Sequence, residues 1–134
     1  MLTIQKMLSV KNINEALLSI QSKKDICGMD GMRLSELEEF IKINPNWFWN
    51  YYNKNNKKIG TVKSIEIRSY NNKKRRIFIF NAIDRLIGRM LSNVLNTHCE
   101  KFLFDKCHSY RENMGITSAI LQIRKYVESG LSCK

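Results

Sequence analysis

The chain has 134 residues, 43% of them hydrophobic and 26% charged, with four cysteines and a formal net charge of +11 at pH 7. This length fits one domain or one lobe of a larger enzyme. No window approaches 18 uncharged apolar residues, which excludes a membrane span, and charged residues interrupt any signal-peptide core. The scattered cysteines fit a reducing compartment better than a disulfide scaffold, so a cytoplasmic location is expected.

The first quarter of the chain has helical periodicity followed by turn signals. Apolar spacing predicts a helical extension over residues 1–24, in one piece or in two pieces broken near Asn12 to Asn14. Gly28, Asp30 and Gly31 then predict a tight structural turn. Ser35 with Glu38 predicts a capping box, and Asn44-Pro45 predicts the start of another helix.

That next helix is rich in aromatic residues, namely Trp47, Phe48, Trp49, Tyr51 and Tyr52. Aromatic rings can stack on nucleic-acid bases. Five rings within six residues cannot all face one ligand, because helical side chains point in different directions. The preferred interpretation is that most of them form core or an interface with another part of the protein.

The segment 61–80 predicts an antiparallel β-hairpin. Ile65 and Ile67 alternate with charged residues, and a second alternating run ends at Ile79. The residues Asn71-Asn72 between the two runs suit a tight turn, since asparagine tolerates positive φ. The turn and the returning strand carry four consecutive cations, so the sequence predicts a basic finger on a two-stranded ribbon.

Positive charge is concentrated around this hairpin. Residues 54–90 contain eleven Lys or Arg against two acids, which is +9 of the total +11. Such a concentration is typical of proteins that bind polyanions. A solvated face that serves solubility and a membrane-surface role are the weaker alternatives. The candidate nucleic-acid contacts in this part of the chain are Lys73, Lys74, Arg76, Arg85 and Arg89.

Two helices are predicted in the C-terminal third. Asn81 with Asp84 resembles a capping pair for a helix with a long apolar stripe, and the last helix is predicted from Ile116 to Glu128 with Gly130 at its C′ position. Four potential zinc ligands lie between these helices: His98, Cys99, Cys107 and His108. Their spacing is not that of a structural zinc site, so no metal is predicted.

Three stretches of the sequence together resemble one family. The turn Gly28-Met29-Asp30-Gly31 is similar to a G-x-DG element. The hairpin, continued by Asp84-Arg85-Leu86-Ile87, is similar to a block with the pattern I-P-K-x-N-G-K-x-R-P-L-x-I-P and then D-R-hydrophobic. The run Ser109-Tyr110-Arg111 with Gly115 and Ala119-Ile120 is similar to the next block. In this order, from about Cys27 to Gly130, they resemble bacterial reverse transcriptases of group II introns, the maturases, and their retron-like relatives.

The resemblance implies an α+β, helix-rich fingers subdomain with an antiparallel hairpin and an incomplete palm. Its implied function is the N-terminal part of an RNA-directed DNA polymerase, a nucleotidyltransferase. It also implies that Arg75 contacts the triphosphate of the incoming nucleotide, that Arg68 replaces the charge of a family lysine, and that Tyr110, Arg111 and Gly115 contact nucleic acid. The implied partners are an RNA template, a DNA primer or RNA–DNA duplex, a dNTP and the palm, with no membrane.

Polymerases of this kind use two metal ions held by aspartates, including an adjacent pair. The aspartates here are Asp25, Asp30, Asp84 and Asp105, with no adjacent pair. The resemblance places the first catalytic aspartate beyond Lys134. We therefore expect no catalytic residue in this chain, and Mg²⁺ ligands only in the rest of the parent enzyme.

Two alternatives to the polymerase interpretation stay open. The same charge cluster would suit a stand-alone RNA- or DNA-binding module. A self-associating structural lobe, with the Trp47 to Tyr52 face and methionine-rich surface in a homodimer contact, is the third.

Overall fold

The computed structural model describes residues 3–22, 25–54, 61–68 and 73–131. Within these residues the fold is α+β, as predicted. The helices are α1 (Ile4–Met7), α2 (Val10–Gln21), α3 (Leu37–Ile43), α4 (Trp47–Lys54), α5 (Ala82–Cys99) and α6 (Ile116–Glu128), with 3-10 turns at Leu34–Glu36 and Glu100–Phe102. The strands β1 (Lys63–Arg68) and β2 (Lys74–Ile79) form one antiparallel sheet.

The chain divides into two compact units, residues 1–93 and 94–134, with the boundary inside α5. The buried core belongs to the first unit, and its members come from α2, the 3-10 turn, α3, α4 and α5: Ala16, Leu17, Ile20, Leu34, Leu37, Trp47, Phe48, Ala82, Ile83, Leu86 and Met90. In the second unit every residue of α6 is at least partly exposed.

The N-terminal helix is broken, but earlier than the sequence predicted. Helix α1 ends at Met7, and α2 begins at Val10 after the N-cap Ser9, whose Oγ accepts a hydrogen bond from the Asn12 N–H at 3.3 Å. The predicted break at Asn12 to Asn14 is wrong because the Asn12 side chain is used elsewhere. It is buried, and it donates to the carbonyls of Met7 (2.8 Å) and Met90 (3.0 Å).

The predicted capping box at Ser35 and Glu38 is also wrong. The Ser35 hydroxyl donates to Asp25 Oδ2 at 3.0 Å, while the Arg33 N–H donates to Glu36 Oε2 at 3.1 Å. The cap is therefore shifted by two residues, and α3 begins only at Leu37. The Ser35 hydroxyl is bonded to Asp25, ten residues earlier in the chain, and local residue spacing does not predict this contact.

Helix α4 begins two residues beyond Pro45, the predicted first helical position. Pro45 and Asn46 lie in a turn, and the Trp47 N–H donates to the Asn44 carbonyl at 2.9 Å. The Asn44 side chain donates back to the Phe40 carbonyl, so this asparagine ends α3.

The last helix agrees with the sequence prediction. Helix α6 covers the predicted span from Ile116 to Glu128, and Gly130 has a φ of 82°. The Leu131 N–H donates to the Tyr126 carbonyl at 3.1 Å, which closes the helix end in the manner of a Schellman motif.

The predicted hairpin is confirmed as two paired strands. Lys63 pairs with Ile79 and Arg68 pairs with Lys74, with unbroken register between them. The predicted turn at Asn71-Asn72 lies outside the described residues. A two-stranded sheet has little stability of its own in water, and this one is mostly exposed, with only Ile65 and Ile79 half-buried.

Candidate nucleic-acid interface

The register of the hairpin separates its side chains into two faces. Cross-strand partners point to the same side of a sheet, and neighbours along a strand point to opposite sides. We call one side the isoleucine face; it carries Lys63, Ile65, Ile67, Arg75, Ile77 and Ile79. The other, the cationic face, carries Ser64, Glu66, Arg68, Lys74, Arg76 and Phe78.

The cationic face has a net charge of +2, from three cations and one acid. Lys74 Nζ lies 3.0 Å from Glu66 Oε2, so part of this charge is offset on the face itself. Both partners are well exposed, so the pair contributes little to stability. Arg68 and Arg76 are exposed, and Phe78 beside them is 57% exposed. The face therefore exposes two guanidinium groups and an aromatic ring on the same side of the ribbon.

Arg75 lies on the isoleucine face, opposite to Arg68. Its cross-strand partner is Ile67, which is 41% exposed. The two residues predicted together as nucleotide contacts are thus on different sides of the ribbon. Lys73, also a predicted contact, is exposed just before β2 begins.

The predicted turn at Gly28 to Gly31 is present and is held by Asn81. Asn81 Oδ1 accepts from the Met29 N–H at 3.1 Å and from the Asp30 N–H at 3.4 Å. Gly31 has a φ of 75°, the left-handed conformation that glycine adopts without strain. The turn is thereby attached to the residue that joins β2 to α5.

A tyrosine and a carboxylate meet beside this turn. The Tyr51 hydroxyl donates to Asp84 Oδ2 at 2.9 Å. Burial raises the pKa of Tyr51 to about 12, with smaller contributions from Asp84 in the same direction, and a hydrogen bond with Asn81 opposes the shift. Asp84 therefore fastens α4 to α5, and its predicted capping pair with Asn81 stays a prediction.

The two arginines predicted to point together toward phosphate from α5 differ in availability. Arg85 is half-buried, and its guanidinium donates to the Ile26 carbonyl. Its Nε is buried without a hydrogen-bond partner among the described residues. Arg89 is exposed. Of the two, only Arg89 is exposed, whereas Arg85 holds the segment before the turn.

In the second unit, the Arg111 guanidinium is held by hydrogen bonds to neighbouring groups of the same unit. Its side chain is 9% exposed, is paired with Glu100, and donates to the carbonyls of Phe104 and Cys107, both at 3.1 Å. The hydrogen bond to Glu100 is the main cause that raises the pKa of Arg111. This charge is offset internally, so the predicted contact would require the Glu100 pair to open.

Tyr110 and Gly115 line a shallow depression of about 400 Å³. Tyr110 is fully exposed with a φ of 59°, and Gly115 precedes the first residue of α6. His108 borders the same depression, and its Nδ1 lies 2.8 Å from Ser118 Oγ. The two predicted contacts are thus brought together within this unit.

Among the described residues, no group of three or more His, Cys, Asp or Glu side chains could hold a metal ion. His108, one of the four ligands weighed from the sequence, is hydrogen-bonded to Ser118 and Gln122. No helix in the described ranges is long and apolar enough to cross a membrane.

The sequence missed the residues that join distant segments, above all Asn12, Tyr51 and Asn81. Each acts through a partner more than thirty positions away, and local periodicity carries no signal for such pairs. Comparison with protein-family models and with curated proteins found no match to this chain.

Proposed function

We propose that this chain is the fingers segment of an RNA-directed DNA polymerase, whose hairpin holds the phosphates of template–primer and of the incoming nucleotide. The observation that carries the proposal is the exposed basic ribbon, on which Arg75 is separated from the cations of the opposite face. The order of the G-x-DG turn, the hairpin and the Ser109 to Ile120 segment, similar to that of reverse transcriptases, supports it.

In this proposal the cationic face contacts the nucleic-acid backbone. Arg68 and Arg76 supply planar guanidinium groups that match phosphate oxygens with two parallel hydrogen bonds. Phe78 stacks on a sugar or base beside them. The contact is independent of sequence, because phosphates carry no base information.

Arg75 is then left for the incoming triphosphate. It stands beside Ile67 on the isoleucine face, and its planar guanidinium can bind phosphate oxygens by charge-assisted hydrogen bonds. Mg²⁺ and the catalytic aspartates would belong to the palm of the parent polymerase. This chain contributes binding and orientation, which by themselves can lower a reaction barrier substantially.

The test compares single alanine variants in the parent polymerase. Arg75→Ala should lower kcat/KM for the dNTP more than it lowers RNA affinity. Arg76→Ala should weaken RNA binding and reduce the salt slope by about 0.7 for single strands, as expected for one lost phosphate contact. Lys11→Ala is the matched control, because Lys11 is a highly exposed cation on α2.

Two results would count against this assignment. If Arg75→Ala weakened RNA binding and left nucleotide kinetics unchanged, Arg75 would be a template contact. If both hairpin variants behaved like Lys11→Ala, the ribbon would not bind phosphate at all. If the chain binds RNA but the protein that contains it has no polymerase activity, the stand-alone binding module is favoured.

A further inference from the structure

Helix α4 exposes two aromatic rings although the same helix buries two others. Trp47 and Phe48 are 5% and 8% exposed and belong to the core, whereas Trp49 is 45% exposed and Tyr52 is 37% exposed. Residues three apart lie on the same side of a helix. Trp49 and Tyr52 therefore form one aromatic pair on the surface of the first unit.

The exposed pair rests on a buried ring. The Tyr52 ring stacks on Phe48 with centroids 6.0 Å apart and an interplanar angle of 10°. Trp49 stands edge-on to both, at 5.1 Å from Phe48 and 6.3 Å from Tyr52. Phe48 contacts both rings and restricts their motion. The two side chains would therefore lose little conformational entropy when a ligand stacks on them.

The sequence segment that carries the pair suits an anionic ligand. There is no Asp or Glu between Phe40 and Ile65, while that stretch contains five lysines, of which Lys42 is paired with Glu38 and Lys54 is exposed at the end of α4; the others are Lys57, Lys58 and Lys63. Asn50 and Asn53 on α4 are exposed and provide amide groups for base edges. An apolar protein partner would not need this one-sided charge.

We infer that Trp49 and Tyr52 form a stacking site for unpaired bases of a single-stranded nucleic acid. The aromatic rings contact the bases, and Lys54 in the last turn of the same helix attracts a phosphate. Interleaved rings and cations of this kind bind single strands with little sequence preference. The rings of this site lie on α4, whereas the contacts proposed above lie on the hairpin.

The first test is the affinity of the full chain for oligouridylate and oligothymidylate of about 12 nucleotides, a length that fits typical single-strand sites. Trp49→Ala should weaken binding about tenfold, with an unchanged salt slope, because stacking releases no counterions. Affinity for an abasic oligodeoxynucleotide of the same length should not change. If Trp49→Ala weakens the binding of oligouridylate and oligothymidylate equally, the site accepts both RNA and DNA single strands. A larger effect on one of these two would identify the preferred strand.

The second test is intrinsic fluorescence. Oligouridylate should quench the emission of Trp49, and Trp49→Phe should remove this quenching while keeping most of the affinity, since phenylalanine still stacks. Phe102→Ala is the matched control, because Phe102 is 77% exposed and lies on the second unit. Unchanged oligonucleotide affinity in Trp49→Ala would overturn the inference, as would equal weakening for the abasic strand.

The hairpin variants distinguish this inference from the proposed function. If Arg76→Ala weakens binding and Trp49→Ala does not, the hairpin binds nucleic acid and the stacking site is wrong. If only Trp49→Ala weakens binding, the stacking site holds and the hairpin proposal fails. If Trp49→Ala converts a dimer to a monomer in sedimentation and leaves binding unchanged, the pair is a contact between two copies.

Discussion

Gly28 and Asn81 approach each other so closely that residue 28 has no room for a side chain. A Cβ on Gly28 would lie 2.6 Å from both Asn81 Cα and Oδ1. The obstacle includes backbone, which cannot move aside as a flexible side-chain end can. The glycine of the turn is thus required by packing against the start of α5.

Gly28→Ala should therefore lower the free energy of unfolding by about 1–3 kcal/mol, the usual range for overpacking. Gly88→Ala is the matched control, because nothing lies within 4 Å of a Cβ there and the residue is inside α5. It should raise the unfolding free energy by about 0.5–1 kcal/mol. Urea denaturation measures both, and equal effects of the two substitutions would contradict the packing argument.

Tyr51 makes the stability of the first unit sensitive to alkaline pH. Its pKa is about 12 in the folded chain and about 10 in an unfolded one. Between these values the unfolded chain releases the phenolic proton first, so stability falls as the pH rises. The contribution is fully present below pH 10 and is lost as the pH passes 12.

Tyr51→Phe should remove this contribution. The difference in unfolding free energy between wild type and variant should be constant below pH 10 and should shrink toward pH 12. The difference in phenolate absorbance between the two proteins should give a titration midpoint near 12. A midpoint near 10 would mean that the phenol is not buried as described.

At the scale of single elements, Asn12 shows how a polar residue joins two helices. Its Nδ2 connects the end of α1 to the Met90 carbonyl of α5, and its Oδ1 accepts from Asn93 Nδ2 at 3.0 Å. Loss of the amide would remove all three hydrogen bonds, and such bonds are stronger in the interior than in water.

Asn12→Ala should lower the unfolding free energy by about 1–3 kcal/mol, because the hydrogen bonds of the Asn12 amide are lost. Asn14→Ala on the same helix is the control, because Asn14 is exposed and alanine favours the helix. Thermal unfolding of the two variants gives the comparison. A loss in Asn14→Ala equal to that in Asn12→Ala would show that the buried amide is not the cause.

At the scale of the whole molecule, the formal charge is larger than the charge that can contact a ligand. The chain carries +11, but Arg111 is paired with Glu100 and Arg85 is turned toward the Ile26 carbonyl. If about five cations neutralise phosphates, the slope of log affinity against log salt should be near −3.5 for a single strand. Fluorescence anisotropy at several salt concentrations measures it, and a slope near zero would contradict nucleic-acid binding.

Much of the fold follows from short-range pattern. The alternation around Ile65 and Ile77 predicts the paired strands, and Gly130 marks the end of α6 correctly. The errors fall at helix starts, where Ser35 bonds to Asp25 and Asn12 bonds to Met90. A capping side chain can form hydrogen bonds with many polar groups. A partner that is distant in sequence can therefore replace the local backbone partner that the sequence predicts.

The sequence predicted which segment carries the cations of the candidate site. It did not predict on which face of the hairpin each cation lies. Charge density alone marks residues 54–90, because lysine and arginine do not depend on folding for their charge. Which of these cations share a side is a matter of register, and the register places Arg75 and Arg68 on opposite faces. The same limit applies to α4, where spacing alone does not separate exposed Trp49 from buried Trp47.

The α+β class, the strands of the hairpin, the last helix and the concentration of positive charge follow from local sequence, because each depends on neighbours within a few residues. Folding establishes which cations are paired, which aromatic rings are exposed and which glycine has no room for a side chain. These depend on contacts between residues such as Gly28 and Asn81, which are far apart in the chain and adjacent only after folding.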